Sequence, residues 1–365
     1  MKKLNVGIIF GGVSTEHEVS RRSAVHIIKS LDKSRYDFAL FEIAKNGEFY
    51  IYENPGPDLD AFCKGMVHVG NSLKKKAAAI SGETFAVYGI DVVFPVIHGT
   101  GGEDGVLQGL LETLQIPYVG SGVLSSALCF DKAFAKIIFR HHGIPQVEYI
   151  CATLDEIESN TPAICMAAGM KLGFPVFVKP ANGGSSVGIY KAGDLGSLEK
   201  AVRKAARYDK KVLIEKGVAG RELECAVFGG YEEVMALGVG EIVPCNEFYD
   251  YNAKYIDEGS QVIIPAVIDD ATIGLIKETA VRAFKALDCH GLARIDFFLA
   301  EDGTVYLNEI NTMPGFTSIS MYPKLWEARG NSGEALVSGL IDLAFEKKDK
   351  YAFLKEYSGD ETDEQ

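Results

Sequence analysis

The chain has 365 residues, 47% of them hydrophobic and 24% charged, a length that indicates two or three domains. A formal net charge of −13 argues against a nucleic-acid or anionic-membrane partner, because the field of the whole protein repels phosphate groups. Any phosphate site must therefore be local. Seven widely spaced cysteines without a C-x-x-C pair are typical of a reduced protein, and no apolar run suits a signal peptide or membrane helix. We therefore expect a cytoplasmic protein.

The first part of the chain alternates apolar strands with helices. The pattern predicts strands over residues 4–10, 37–44 and 90–99, and helices over 20–31 and 106–114. Near-continuous apolar strands that alternate with helices indicate a parallel sheet covered on both faces. We therefore predict an α/β domain at the amino-terminal end.

The order of strands and helices changes after a predicted helix pair within residues 116–145. Strands flank a glycine-rich loop in the middle segment, which indicates an antiparallel α+β unit, and a carboxy-terminal segment carries further strands and a helix over 272–287. The acidic end lacks apolar anchors, so we expect it to be disordered. The predicted domains are 1–131, 132–220 and 221–350, followed by a tail over 351–365.

Residues 293–311 read as a β-hairpin, because Asp302-Gly303 is a strong two-residue turn between two β-rich runs. This turn places Asp296 opposite Glu309 and Arg294 opposite Asn311, with all four side chains on one face. Facing carboxylates repel each other unless a cation compensates them, and an oxygen-only ligand set selects a hard ion such as Mg²⁺ or Mn²⁺. The alternative is a solvated sheet face on which Arg294 simply pairs with Asp296.

The stretch "VKPANGGSSVG", Val178 to Gly188, is not a Walker loop, because Lys179 precedes the glycines and a strand rather than a helix follows. Gly183 and Gly184 free the backbone, and Ser185 and Ser186 add hydroxyl donors, so the loop could close over phosphate oxygens as a flap. Taken alone, the loop is more typical of an ordinary turn with exposed serines.

Two further candidates lie where the predicted parallel sheet would bind a ligand, at the carboxyl ends of its strands. Glu16 in "GGVSTEHEVS" could bind an amine, although an acidic residue there could merely complement a helix dipole. His98 ends the third strand, although a lone histidine is more often structural. The first loop lacks the full G-x-G-x-x-G fingerprint, which makes it weak evidence for NAD.

Taken together, six motifs resemble those of the D-alanine–D-alanine ligases of the ATP-grasp superfamily, in order from Gly11 to about Leu325. They are "GGVSTEHEVS", "HGTGGEDG", "VKPANGGSSVG", "FYDYNAKY", "ARIDFF" and "NEINTMPGFT". The resemblance implies an ATP-grasp three-domain fold, α/β and α+β, with an N-terminal Rossmann-like parallel sheet domain. It also implies a homodimeric enzyme that joins two D-alanine molecules through an acyl phosphate at the expense of ATP, for peptidoglycan precursor synthesis.

The resemblance assigns a role to each candidate. Glu16 would hold the ammonium of the first D-alanine with Ser185 and Tyr255, and His98 would lie beside it. Ser320 would bind the carboxylate of the second D-alanine, while Arg294 and the Gly315 N–H would stabilise developing negative charge. Two Mg²⁺ or Mn²⁺ ions would be held by Asp296, Glu309 and Asn311. The implied ATP-binding residues are Lys132, Lys179, Ser186, Glu215, Lys216, Val218 and Glu222.

Substrate choice follows from two positions by the same resemblance. Family members that add D-lactate carry phenylalanine at the position of Tyr255, and those that add D-serine tend to carry arginine near Met321, so D-alanine is predicted as second substrate. The alternatives are an ATP-grasp ligase for another amino acid, a non-catalytic nucleotide sensor, and an NAD oxidoreductase. A sensor would be expected to lose the metal carboxylates or Arg294, which are present.

Overall fold

The computed structural model describes residues 2–52, 74–77, 79–243 and 261–351. The first of its three sheets has a parallel centre in which β1 (Leu4–Gly11) lies between β2 (Tyr36–Ile43) and β5 (Val92–Pro95), as predicted. Two short antiparallel strands, β3 (Phe49–Tyr52) and β4 (Lys74–Ala77), extend the β2 edge. The sequence analysis had not predicted this antiparallel extension.

Among the described residues, five helices accompany this sheet and lead out of it. They are α1 (His17–Lys29), α2 (Gly82–Val87), α3 (Val106–Thr113), α4 (Val123–Phe130) and α5 (Lys132–His141). The predicted helix pair is confirmed as α4 and α5, with Asp131 between them. The Asp131 carboxylate accepts hydrogen bonds from the Ala133 and Phe134 N–H groups at 3.1 and 3.2 Å, so α5 begins at a capped, fixed point.

The second sheet is antiparallel throughout, as predicted, with the strand order β6-β9-β7-β8. Its strands are β6 (Tyr149–Thr153), β7 (Val176–Pro180), β8 (Tyr190–Ala192) and β9 (Lys211–Lys216), and its helices are α6 (Leu154–Leu172) and α7 (Leu195–Ala205). The glycine-rich loop joins β7 to β8. The loop therefore leaves and re-enters the same sheet, which is the geometry predicted for a flap.

The third sheet is also antiparallel, with the order β12-β11-β10-β13-β14. Its strands are β10 (Gly220–Gly229), β11 (Val234–Val243), β12 (Gln261–Ile263), β13 (Gly291–Ala300) and β14 (Val305–Asn311), and α8 (Asp270–Ala286) packs on it. The predicted domain boundary at 131 lies between α4 and α5, and the one at 220 lies at the start of β10. Both boundaries stay predictions.

The last two helices, α9 (Met321–Glu327) and α10 (Gly333–Tyr351), connect the third sheet to the first. Leu340 and Ile341 of α10 share one buried core with Val6 and Phe94 of the first sheet. Burial of these side chains joins the two ends of the chain. No helix in the described ranges is both long enough and apolar enough to cross a membrane. Apart from Tyr351, the predicted tail lies outside the described residues.

The β13–β14 hairpin has a longer turn than predicted. The Ala300 N–H donates to the Thr304 carbonyl and the Gly303 N–H donates to the Ala300 carbonyl, both at 2.9 Å. Residues 301–303 therefore form a three-residue loop, and the predicted two-residue turn is wrong. Three-residue loops with glycine at a positive φ are common in hairpins, and Gly303 has φ +84°.

A β-bulge restores the predicted pairing farther along the hairpin. Phe297 faces Leu307, whereas the preceding residue Asp296 faces Glu309, so Asn308 is the extra residue of β14. The predicted opposition of Asp296 and Glu309 is therefore confirmed, although the turn that was used to derive it was wrong.

Candidate active site

The carboxylates and amide of the hairpin lie around one half-buried arginine, Arg294. Arg294 faces Asn311 across the strands, and its guanidinium donates two hydrogen bonds of 2.7 Å to the Asp296 carboxylate. Glu224 lies 3.3 Å from Arg294 Nε, and the Asn311 amide donates to Asp296 at 3.1 Å. Burial opposes the charge of Arg294, but Asp296 and Glu224 outweigh it, so its pKa is raised well above the usual value. The ion pair of the alternative interpretation is thus present.

Lys132 connects the hairpin to the flap. It begins α5 directly after the Asp131 cap, and its Nζ lies 3.1 Å from Glu309 Oε2. The same ammonium donates to the Gly183 carbonyl at 2.8 Å. Burial would lower the pKa of Lys132, but Glu309 outweighs burial and raises it, so the lysine is charged. One cation therefore touches both walls of the predicted phosphate site.

Lys179 belongs to a second buried cluster under the flap. Its Nζ lies 2.7 Å from Glu215 Oε2 and donates to Asn308 Oδ1 at 3.2 Å. Lys136, one helical turn after Lys132, lies 2.9 Å from Glu215 Oε1. Burial of Glu215 would raise its pKa, but the two lysines outweigh burial and lower it. The sequence analysis missed Lys136, although its i+4 spacing from Lys132 places both on one face of α5.

The flap lies over the amino-terminal loop. Ser185 and Ser186 both have left-handed backbone conformations, with φ +52° and +58°, which are strained for side-chain-bearing residues. A Cβ atom added to Gly184 would lie 2.9 Å from Glu16 Oε2. Glu16 and Ser185 are both buried. The structure thus brings Glu16 and the flap together, as the resemblance implied, whereas Tyr255 lies outside the described residues.

A cavity between flap and hairpin contains predicted phosphate contacts. Its walls include Lys132, Lys179, Gly183, Gly184 and Glu309. Two lysine side chains and the flap backbone suit phosphate oxygens, and the Glu309 carboxylate suits a hard cation. The cavity therefore combines the donors and acceptors that a metal-bound triphosphate requires.

The loop after β14 brings the last two predicted residues together. A Cβ added to Gly315 would lie 3.0 Å from Ser320 Oγ, so glycine allows this close approach. Ser320 Oγ accepts a 3.0 Å hydrogen bond from the Thr317 N–H. Met321 is buried and packs against Gly240 of β11. Position 321 therefore carries an apolar side chain next to Ser320.

Comparisons with known proteins identify the family. Family models described as "D-ala D-ala ligase N-terminus" and "D-ala D-ala ligase C-terminus" match residues 5–121 and 138–342. The chain belongs to the D-alanine–D-alanine ligase family. The D-alanine–D-alanine ligase of Acetivibrio thermocellus is 48% identical to it, over 97% of this chain and 99% of that protein. That of Ruminiclostridium cellulolyticum is 46% identical, over 95% and 96% of the two chains.

Solved structures agree with this assignment. The VanG D-Ala:D-Ser ligase of Enterococcus faecalis is 34% identical with a TM-score of 0.84, covering 94% of this chain and 100% of that one. The D-alanine–D-alanine ligase of Coxiella burnetii is also 34% identical, with a TM-score of 0.80 over 95% and 97% of the chains. The predicted ATP-grasp fold and ATP-dependent ligase class are confirmed.

Glu103 is a site residue of this ligase that the sequence analysis did not single out. Its carboxylate accepts hydrogen bonds from the Gly99 N–H at 2.7 Å and from the Met313 N–H at 3.3 Å. Burial and the nearby Glu16 carboxylate raise the pKa of Glu103 to about 8. A carboxylate within "HGTGGEDG", after the third predicted strand, was the available signal.

The remaining predicted ATP contacts of the ligase lie where the chain passes from β9 to β10. Lys216 ends β9 with an exposed side chain, and Val218 follows it half-buried. Glu222 is half-buried in β10 opposite Phe298. Together with Glu215 they lie from the end of β9 to the start of β10 in the chain, and their predicted roles toward adenine and ribose stay predictions.

The residues of the ligase fit ATP and Mg²⁺ by their chemistry. Within the described part of the chain, no group of three or more His, Cys, Asp and Glu side chains is arranged to hold a metal. The hairpin offers Asp296 and Glu309 with the Asn311 amide. A partial set of oxygen ligands suits Mg²⁺, which usually takes its other ligands from water and substrate phosphates.

Proposed function

We propose that this enzyme ligates two D-alanine molecules to D-alanyl-D-alanine, with conversion of ATP to ADP and phosphate, for peptidoglycan precursor synthesis. The observation that carries the proposal is the closeness of Glu16 to Gly184 of the flap, whose other side meets Lys132. An amine-binding carboxylate and a phosphate-binding cation thus border one flap. An amino acid and ATP would meet there.

The first half of the reaction activates the carboxylate of the first D-alanine, which is a poor electrophile. Glu16 would hold its ammonium group, and the carboxylate oxygen would attack the γ-phosphorus of ATP to give an acyl phosphate and ADP. Lys132 and Lys179 would neutralise charge on the phosphoryl oxygens, and their positions under and beside the flap support this role. The flap would exclude water, which would otherwise hydrolyse the acyl phosphate.

The second half forms the peptide bond. The amine of the second D-alanine would attack the acyl carbon, the carbonyl oxygen would become an oxyanion, and phosphate would leave. Arg294 and the Gly315 N–H would stabilise this oxyanion, and Ser320 would orient the second carboxylate beside them. The approach of Gly315 to Ser320 supports this pairing of roles.

Asp296, Glu309 and Asn311 would hold the predicted pair of Mg²⁺ or Mn²⁺ ions. When bound, such ions neutralise phosphate charge and fix the geometry for phosphoryl transfer. In this structure Asp296 pairs with Arg294 and Glu309 pairs with Lys132, so each carboxylate has a cationic partner. Divalent ions would share these carboxylates with the two cations.

D-Alanine is the proposed second substrate because Met321 is apolar and buried at the edge where Ser320 lies. The similarity to a D-Ala:D-Ser ligase makes D-serine the alternative to test. We also propose that the enzyme is a cytoplasmic homodimer that binds neither nucleic acid nor a membrane, and these points stay predictions.

Substrate assays test the function directly. Release of ADP is measured with D-alanine alone, with L-alanine, and with D-alanine paired with D-serine or D-lactate, and products are identified by mass. We expect D-alanyl-D-alanine from D-alanine alone and no ADP release with L-alanine. Absence of ADP release with D-alanine would refute the proposal. Preferential formation of D-alanyl-D-serine would show that D-serine, not D-alanine, is the second substrate.

A matched pair of variants tests the proposed metal clamp. Glu309→Gln should abolish ATP turnover, whereas Glu301→Gln, on the exposed turn of the same hairpin, should retain it. Activity of Glu309→Gln within about threefold of the parent would show that the clamp is wrongly assigned. Melting temperatures of the parent and both variants, measured with and without Mg²⁺ and ATP, separate loss of metal binding from misfolding.

A further inference from the structure

Ser23 of α1 lies in a buried hydrogen-bond network that crosses from the first sheet to the loop after β14. Its hydroxyl oxygen accepts a 3.1 Å hydrogen bond from the Phe316 N–H and lies 3.0 Å from His98 Nε2. His98 Nδ1 in turn lies 2.9 Å from the Met313 carbonyl. Ser23 has no exposed surface, and His98 is 3% exposed. We call Ser23 and His98, with their contacts to Met313 and Phe316, the clasp.

The proton positions in the clasp follow from its acceptors. The Met313 carbonyl can only accept, so His98 Nδ1 carries the proton that it shares with Met313. Burial lowers the pKa of His98, which leaves Nε2 as an acceptor. Ser23 therefore donates its hydroxyl proton to His98 and receives the Phe316 N–H. Every polar group of the clasp is satisfied in this one arrangement.

The clasp holds the loop on both sides of Gly315. Met313 is held through its carbonyl by His98 and through its N–H by Glu103, and Phe316 is held through its N–H by Ser23. The Gly315 N–H, the proposed oxyanion donor, lies between these fixed points. An oxyanion donor acts only when it is held at the required distance before the reaction.

We propose that Ser23 is a positioning residue for the ligation reaction, because its hydroxyl, together with His98, fixes the backbone that carries the Gly315 N–H. Ser23 contacts the loop and not the substrates. This role rests on the proposed function, since it concerns the oxyanion donor of that reaction. It also explains why His98 has both ring nitrogens engaged by protein groups.

Ser20 supplies a matched control one helical turn earlier. It is equally buried, and its hydroxyl accepts from the Gly11 N–H at 2.7 Å and donates to the Val96 carbonyl at 2.5 Å. Its two hydrogen bonds connect β1 with the segment after β5 and do not reach the loop at 313–316. Ser20→Ala and Ser23→Ala thus each remove one buried hydroxyl from α1, but only Ser23→Ala opens the clasp.

The test compares steady-state kinetics and hydrogen exchange in the full-length parent and both variants. We expect Ser23→Ala to lower kcat by roughly 10- to 100-fold with the KM for ATP within about twofold of the parent, because displacing an oxyanion donor affects the transition state. The Phe316 amide should exchange faster in Ser23→Ala than in the parent and Ser20→Ala. The melting temperatures of the two variants should fall by similar amounts.

Two results would overturn the inference. One is a kcat of Ser23→Ala within about threefold of Ser20→Ala, and the other is unchanged exchange at Phe316. If Ser23→Ala does not fold, Ser23→Cys keeps the volume but accepts hydrogen bonds weakly, and the same changes are expected in it. A parent that is inactive with D-alanine would refute the proposed function, whereas the exchange data report on the clasp independently.

Discussion

Gly184 allows the flap to approach Glu16, and enlarging this one residue should separate them. A Cβ atom at position 184 would lie 2.9 Å from Glu16 Oε2, which is closer than a Cβ contact tolerates. Either the Glu16 carboxylate must turn away or the flap must stay partly open. Gly184→Ala should therefore impair the step in which the flap covers ATP and the first D-alanine.

The size of the effect follows from the overlap. Overpacking by one methyl group costs about 1–3 kcal/mol, which corresponds to a roughly 5- to 150-fold loss in kcat/KM if the closed state alone is reactive. Gly184 itself is exposed, so the free energy of unfolding should change little. We expect a catalytic loss without a loss of melting temperature.

Gly183→Ala is the control for this prediction. A Cβ atom at position 183 meets only Pro180 Cγ, at 3.4 Å, which is an ordinary contact. Its carbonyl remains available to Lys132, since the substitution does not alter the backbone acceptor. ADP release with D-alanine is measured for the parent and both variants. Equal activities of the two variants would refute the argument from Glu16.

Two further predictions concern buried ionisable groups. The pKa of His290 is lowered to about 3, mainly by burial and then by Lys347 and Lys350. The unfolded chain binds this proton near pH 6.5, so the parent should lose stability as the pH falls from about 6.5 toward 3. Between pH 7 and pH 4, the free energy of unfolding should fall in His290→Leu by roughly 1–3 kcal/mol less than it falls in the parent, as measured by urea unfolding. An equal fall in both proteins would contradict the assignment. Lys136→Met should cost about 2 kcal/mol of the free energy of unfolding at pH 7, because Glu215 then keeps Lys179 as its one lysine partner, and unchanged stability in urea unfolding would show that the Lys136–Glu215 pair does not govern it.

The sequence predicted those elements whose hydrophobic pattern is local and strong. The parallel strands around β1 were recognisable as continuous apolar runs, whereas β3 and β4, which are only four residues long and extend the sheet beyond β2, were missed. The helix α6 was missed as well. It contains Pro162 and a non-helical residue, Asn160, so its periodic pattern is interrupted.

Contacts between distant segments were beyond the reach of local patterns. The clasp joins Ser23 to Phe316, and the Cys129 and Cys289 sulfur atoms lie 3.6 Å apart although the sequence analysis treated the cysteines as unrelated. Such pairs depend on how the sheets pack, which no spacing in the sequence encodes. Most of the predicted site residues were assigned from the family motifs, because these motifs mark the segments that the packing of the sheets brings together.

The hairpin shows why the active-site register was predicted from an incorrect turn. With a three-residue loop and no bulge, Arg294 would face Ile310, and the Ile310 side chain would leave the core for the polar face. Ile310 is instead buried opposite Ile295, and the extra residue Asn308 makes this possible. The bulge also places Asn308 beside Glu309 on the polar face, where one meets Lys179 and the other Lys132. Burial of Ile310 in the core therefore fixes the register of the hairpin. The bulge that allows this burial also places the Asn308 and Glu309 side chains next to each other, where each contacts a lysine from a different element.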